Sequence, residues 1–310
     1  MELFDPKLLK INFSKTFNFF VVVSSILCVL SAIAIFYPGF NYGIDFRGGI
    51  EAQVEFNDPA VNSQAIRDAI GDKVKNLTIV ESSKKDSGLK KEYYLNVQAD
   101  DVNAGSKQLK EVLEQAYPGA YKLSKMDTVG PKIGAELRKS ALLSLFYTCI
   151  LIALYIYWRF DIRYSPGAII AVIHDLLLTS GFLIVTRMEF STTVVAALLT
   201  LAGYSINDTI VVFDRIRELE ARVGSMDRKN MLNLAVNSTL SRTVMTAGTT
   251  LMCCVVLYFF GGAALREFSA AIFFGIIVGT YSSIFIAAPT YLLGDRLFSD
   301  KSSTLRARKV

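Results

Sequence analysis

The chain has one histidine (His174) and one tryptophan in 310 residues. Its four cysteines, Cys28, Cys149, Cys253 and Cys254, all fall in apolar runs. The one long hydrophilic stretch has none, which excludes a disulfide framework there. Adjacent Cys253 and Cys254 lack the spacing of a metal site, so no metal is expected. There is no glycine-rich phosphate loop ending in lysine and no nucleophile patterned with a base. Ordinary enzyme classes are thereby excluded, and no cofactor is expected.

What the chain has instead is apolar length. It is 52% hydrophobic with a mean hydropathy of +0.38, too apolar for a soluble domain of this size. Six runs can cross a bilayer, at roughly 17–37, 140–158, 167–185, 190–213, 244–262 and 268–293. The first follows Lys7, Lys10 and Lys15. It is longer than the apolar core of a signal peptide, about 7–15 residues. It also ends in Phe36, Tyr37 and Pro38 rather than small residues, and reads as an uncleaved span. The fourth run carries Gly203, Ser205, Asn207 and Asp208 and is expected to be the most enclosed.

Charge at the span ends gives orientation. About sixteen Lys and Arg fall on one side and two, Arg187 and Arg266, on the other. Both termini are therefore expected in the cytoplasm. This clustering accounts for the net charge of +5 without any nucleic-acid partner. Four regions follow: residues 1–37, with the first span; 38–136, a periplasmic domain with its hinge segments; 137–295, spans two to six; and 296–310, a basic tail.

The insert alternates strand and helix patterns. IEAQVEF (50–56) has strand alternation. A helix opened by Asn57-Asp58-Pro59 follows, with Ile66 and Ile70 on one face. VKNLTIVE and YYLNVQA are strands joined by a polar turn, SSKKDSG; then come a second amphipathic helix and a strand in AYKLSKMDTV. The order β-α-β-β-α-β is the ferredoxin-like split motif. The expected fold is thus an α-helical, six-span bundle with an inserted periplasmic α+β domain. The connector 214–243 is expected to hold a short amphipathic helix at the membrane surface.

Five segments stand out. NYGIDFRGG (41–49) leaves the first span; Gly43, Gly48 and Gly49 allow unusual backbone angles, and Asp45 and Arg47 are placed to pair across the turn. It serves as a rigid elbow or a binding loop. DTVGPKIGAEL (127–137) turns at Gly130-Pro131 into the second span, as the second arm of one hinge. IHDLLLTSG (173–181) puts His174 and Asp175 inside a span. The two are adjacent, point about 100° apart and need not touch. His174 suits either packing or proton exchange. GYSINDTIVVFDRIRE (203–218) puts Asn207, Asp208 and Thr209 in an apolar helix. A carboxylate in hydrocarbon costs at least ~2.5–3.5 kcal/mol, so such groups usually carry function. Removal from water disfavours the charged form and a nearby cation favours it, the balance a proton carrier needs. SRTVMTAGTT (241–250) opens the fifth span with Arg242, a snorkelling residue or a counter-charge to Asp208.

In order and spacing, these five segments resemble the SecF family of the resistance-nodulation-division superfamily, over essentially the whole chain. The resemblance implies an accessory subunit of Sec protein export that pairs with SecD. It implies assistance to SecYEG and SecA, association with YidC and YajC, and unfolded preprotein as substrate. It also implies use of the proton motive force, with Asp208 and Arg242 as the relay pair. Asp175 either joins that relay or braces it. The coupling ion is H⁺ or Na⁺; a Na⁺ site would draw oxygens from Ser205, Asn207, Asp208 and Thr209. Two other functions stay open: a small-solute exporter of the same superfamily, and a purely structural subunit.

Overall fold

The structure, a computed structural model, describes residues 11–58, 60–81, 91–99, 101–222 and 226–296. In chain order, α1 (Phe17–Phe36) leads to a two-residue strand, β1 (Asn41–Tyr42), and a short helix, α2 (Ile44–Arg47). The inserted domain comprises β2 (Gly49–Phe56), α3 (Ser63–Ile70), β3 (Thr78–Glu81), β4 (Lys91–Val97), α4 (Val102–Ala116) and β5 (Tyr121–Val129). Then follow α5 (Pro131–Arg159), α6 (Ser165–Val185), β6 (Glu189–Phe190), α7 (Thr192–Arg222), α8 (Arg228–Phe260) and α9 (Ala263–Ser282). A π-helical turn at Ser283–Ala287 continues α9, so the sixth apolar segment covers Leu265–Arg296. The polar turn SSKKDSG, Pro59 and nearly all of the basic tail lie outside the described residues.

Six of these helices are long and apolar enough to cross a membrane. On α1 and α5 the outward faces stay apolar: Phe19, Leu151 and Trp158 are 65%, 65% and 83% exposed. Such faces suit lipid or a partner helix rather than water. The connector 214–243 holds no separate surface helix. Instead α7 runs on to Arg222 and α8 starts at Arg228. At ~1.5 Å per residue these helices are ~46 and ~50 Å long, well beyond a ~30 Å hydrocarbon core. Ion pairs such as Arg222–Glu218 (2.8 Å) and Arg217–Asp214 (3.1 Å) line the extension, as i,i+3 and i,i+4 spacing allows. Nor is the fourth span the most enclosed. The sixth is 67% buried and the fourth 56%, because Ala196, Thr200, Gly203 and Asn207 form an exposed stripe along α7.

In the inserted domain the four strands form one antiparallel sheet in the order β3-β4-β2-β5. Strand alternation divides its faces. Ala52, Val54, Phe56, Tyr93 and Leu95 meet Ile66, Ile70, Leu109 and Leu113 of the two helices. The helices are capped where chemistry requires: Asn62 accepts from Ala65 N (2.8 Å) and Asp101 from Asn103 N (2.9 Å). The opposite face presents Glu51, Asn96 and Asp127 in register across three strands.

At the end of the bundle away from this domain, Glu220 joins α7, α8, the sixth apolar segment and the turn between α5 and α6. It accepts from Tyr164 (2.8 Å), Tyr291 (2.5 Å), Arg163 (3.3 Å) and Arg228 (2.7 Å). Asp295 also binds Arg163, at 2.9 Å. Arg163 is only 6% exposed, so losing an acidic partner leaves a buried cation short of charge. Glu220→Ala is expected to cost ~3–5 kcal/mol, read as a lower thermal midpoint of the purified protein, with Glu218→Ala on the exposed face as the near-neutral control.

Candidate functional site

Helix periodicity carries Asp175 on α6 and Ser205 and Asp208 on α7 into the same interior. Asp175 is 1% exposed and both its oxygens are occupied. Oδ1 lies 2.8 Å from His174 Nδ1. Oδ2 accepts from Ser205 Oγ and, at 2.8 Å, from Ser282 Oγ. His174 and Asp175 therefore do touch, a contact that their 100° offset left open. The result is a clamp across α6, α7 and the end of α9. Ser282 sits immediately before the π-turn, a distortion frequent at functional sites. The His174 ring also stacks on Tyr281, 6.1 Å away, whose hydroxyl meets Ser24 of α1 at 2.7 Å. Sequence reasoning missed Ser282, Tyr281 and Ser24; hydroxyls in a span carry little signal alone.

Asp208 stands differently. It is 3% exposed, and its Oδ2 is buried without a hydrogen-bond partner among the described residues. Arg242 is exposed on α8; its charge acts on Asp208 without a direct ion pair among the described residues. Thr209 hydrogen-bonds the Ser205 carbonyl at 3.4 Å. Asn207 faces outward and joins neither carboxylate. The oxygens suggested for Na⁺ thus do not converge: Ser205 is committed to Asp175, Thr209 to backbone, and Asn207 to the exterior.

The two segments named as hinge arms form one packed joint. β1 pairs in parallel with β6, and Phe46 of α2 is buried against Phe190, with ring centroids 5.7 Å apart. The expected Asp45–Arg47 pair is not found among the described residues. Asp45 Oδ2 instead accepts from Thr192 N (2.8 Å) and Thr192 Oγ1 (2.6 Å), because the first turn of α7 offers free amides and a positive dipole end. The joint is therefore wired to the helix that carries Asp208. Gly48 (φ +78°) and Gly49 (φ +147°) have backbone angles that side chains resist; a Cβ on Gly48 would lie 2.8 Å from Pro131 Cα. Gly130, the N-cap of α5, has ordinary angles and open space around it.

Residues 108–295 match the family profile "Protein export membrane protein SecD/SecF, C-terminal", and residues 33–60 match the "SecD/SecF GG Motif". The SecF of Rickettsia akari (strain Hartford) is 35% identical over 97% of this chain and 99% of its own length. That of Calditerrivibrio nitroreducens is 39% identical over 90% and 92%. The chain belongs to the SecF family. Its fold matches the crystal structure of SecDF, a translocon-associated membrane protein from Thermus thermophilus, with a TM-score of 0.80, 34% identity and 93% of this chain covered. A SecDF structure in a super-membrane-facing form gives a TM-score of 0.70. This SecF-family chain spans 39% and 41% of those two SecDF chains. The stretch matched by the GG profile includes Gly48 and Gly49, the glycines of the joint, in a multi-pass membrane protein.

Proposed function

We propose that this chain is an accessory subunit of Sec protein export that works with a SecD partner and draws on the proton motive force. The observation that carries the proton reading is Asp208: a carboxylate buried in a span, with an oxygen left unpartnered among the described residues. Buried polar atoms are almost always satisfied, and the exceptions tend to have a job. Asp175, fully hydrogen-bonded, acts as brace, and Asp208 as the group that trades a proton. Arg242 is the counter-charge when Asp208 is ionised. The scattered oxygens around Asp208 favour H⁺ over Na⁺, which needs several ligands at one point.

The inserted domain is read as a periplasmic ferredoxin-like unit, supported by its β-α-β-β-α-β order and sheet order 3-4-2-5. The excess of Lys and Arg at the opposite end supports cytoplasmic termini in a bacterial inner membrane. SecD, SecYEG and SecA are the expected partners and an unfolded preprotein the substrate; YidC and YajC are further associates. Changes at Asp208 reach the joint along α7, whose first turn Asp45 caps. Asp208 and Thr192 are sixteen residues, or ~24 Å, apart on that helix.

Preprotein export into inverted membrane vesicles tests this, with the chain and its SecD partner present or absent. Stimulation that needs both proteins and a proton gradient supports the proposal. Stimulation unchanged when the gradient is collapsed contradicts it.

A further inference from the structure

A cavity of about 370 Å³ separates the open face of the sheet from the near end of the bundle. Asp127, Glu51 and Asn96 line it from β5, β2 and β4; Glu189, Asp45 and Glu267 line it from the bundle side. Five carboxylates thus face one space. Glu51 and Asp127 are direct cross-strand partners, an arrangement that like charges disfavour. Local rules broken in this way tend to mark function.

Glu189 is the link between the two sides. It belongs to β6, next to β1 of the joint. Both its carboxylate oxygens accept from Asn96 Nδ2, at 3.2 and 3.0 Å. Gly43 lies so close that a Cβ there would fall 2.4 Å from Glu189 Oε1. Asn96 is 8% exposed, and its own Oδ1 is buried with no partner among the described residues. A half-turn of the Asn96 amide would bring Oδ1 to face Glu189, where only a protonated carboxyl can donate to it.

We propose that Glu189 is a proton-binding latch: with a proton from water on the domain side it holds the inserted domain on the bundle, and without it the contact loosens. This rests on the packing at the joint and is independent of the export role. The charged groups around Glu189 are Asp45 on α2, Glu51 on β2, Asp127 on β5 and Glu267 on α9. Lys125 is committed to Asp127. Arg266 lies over the Tyr258 ring at 5.2 Å, and Arg187 donates to the Gly39 carbonyl at 3.3 Å. Arg47 lines a smaller adjoining cavity that Glu189 shares. Burial, then the carboxylates of Glu51, Glu267 and Asp45, push the Glu189 carboxyl up to about 7, against the pull of Asn96.

The sign follows from linkage. The docked arrangement holds the proton more tightly than a released one, whose carboxyl returns to its ordinary value of 4.5. The contribution to docking is full below that value and is lost as pH rises through about 7.

The test uses the full chain with its SecD partner in lipid, native cysteines replaced by alanine. Spin labels are placed at Lys110→Cys on α4 and Val185→Cys at the end of α6, both exposed positions. The docked-to-released ratio is expected to fall at least about tenfold between pH 5 and 9. Glu189→Gln, which mimics the protonated form, is expected to stay docked throughout. Glu51→Gln removes a neighbouring charge and is expected to move the midpoint down. A wild type whose distances ignore pH overturns the latch. So does Glu189→Gln with the wild-type pH response, or a wild-type distance that follows added Mg²⁺ and not pH.

Discussion

Gly48→Ala and Gly49→Ala are each expected to dismantle the joint between the inserted domain and the bundle, while Gly130→Ala leaves it intact. All three glycines lie in the two arms of that joint, so composition does not separate them. Backbone geometry does. Gly48 and Gly49 hold φ of +78° and +147°, a region that costs other residues about 1–3 kcal/mol. Alanine there also meets backbone that cannot yield: Pro131 Cα at 2.8 Å for Gly48, and Val97 O at 2.5 Å for Gly49. Val97 is the partner of Ile50 in the central ladder, so relief at Gly49 pulls the ladder apart. Strain and overlap together should exceed ~3 kcal/mol, a large part of a typical total of ~5–15 kcal/mol. Protease accessibility of the inserted domain and the thermal midpoint of the purified complex check this. Gly48→Ala with wild-type resistance and melting would contradict the packed joint.

Asp208→Asn is expected to abolish gradient-dependent stimulation of export and to leave folding and partner assembly unchanged. The substitution keeps the shape of a side chain whose Oδ2 has no hydrogen-bond partner among the described residues and removes its ability to carry a proton. The driving energy at stake is substantial. One charge crossing 100 mV gains ~2.3 kcal/mol, enough to move a two-state equilibrium roughly fiftyfold. Asp175→Ala should behave in the opposite way. It breaks contacts with His174, Ser205 and Ser282, so it should lower the melting temperature. Melting curves and assembly with the partner separate the two outcomes. An Asp208→Asn protein that unfolds like Asp175→Ala would make Asp208 a packing residue.

The apolar runs made the six spans legible, because an apolar helix of about twenty residues satisfies its own backbone in lipid. Their ends were not legible. Asp214, Arg215 and Glu218 suit a separate surface helix by polarity, yet i,i+3 and i,i+4 pairing carries α7 on past them without a break. The order of strands and helices along the insert followed from alternation, whereas the direction its open face looks did not. Glu51 and Glu189 are far apart in sequence, and only the fold brings them to one cavity. At the buried carboxylates, sequence flagged Asp175 and Asp208 alike, because cost in hydrocarbon is the same for both. What tells them apart is the hydroxyls of Ser205 and Ser282, which satisfy one and not the other. Asp45 likewise looked like a partner for its neighbour Arg47, but the free amides at the start of α7 lie within its reach.

The most direct test of proton coupling through Asp208 is a two-by-two comparison in vesicles holding this chain and SecD. Export is measured for wild type and Asp208→Asn, each with the proton gradient intact and collapsed. The proposed mechanism predicts that mutation and collapse cost the same stimulation and do not add. An Asp208→Asn protein that keeps its gradient-dependent stimulation contradicts it.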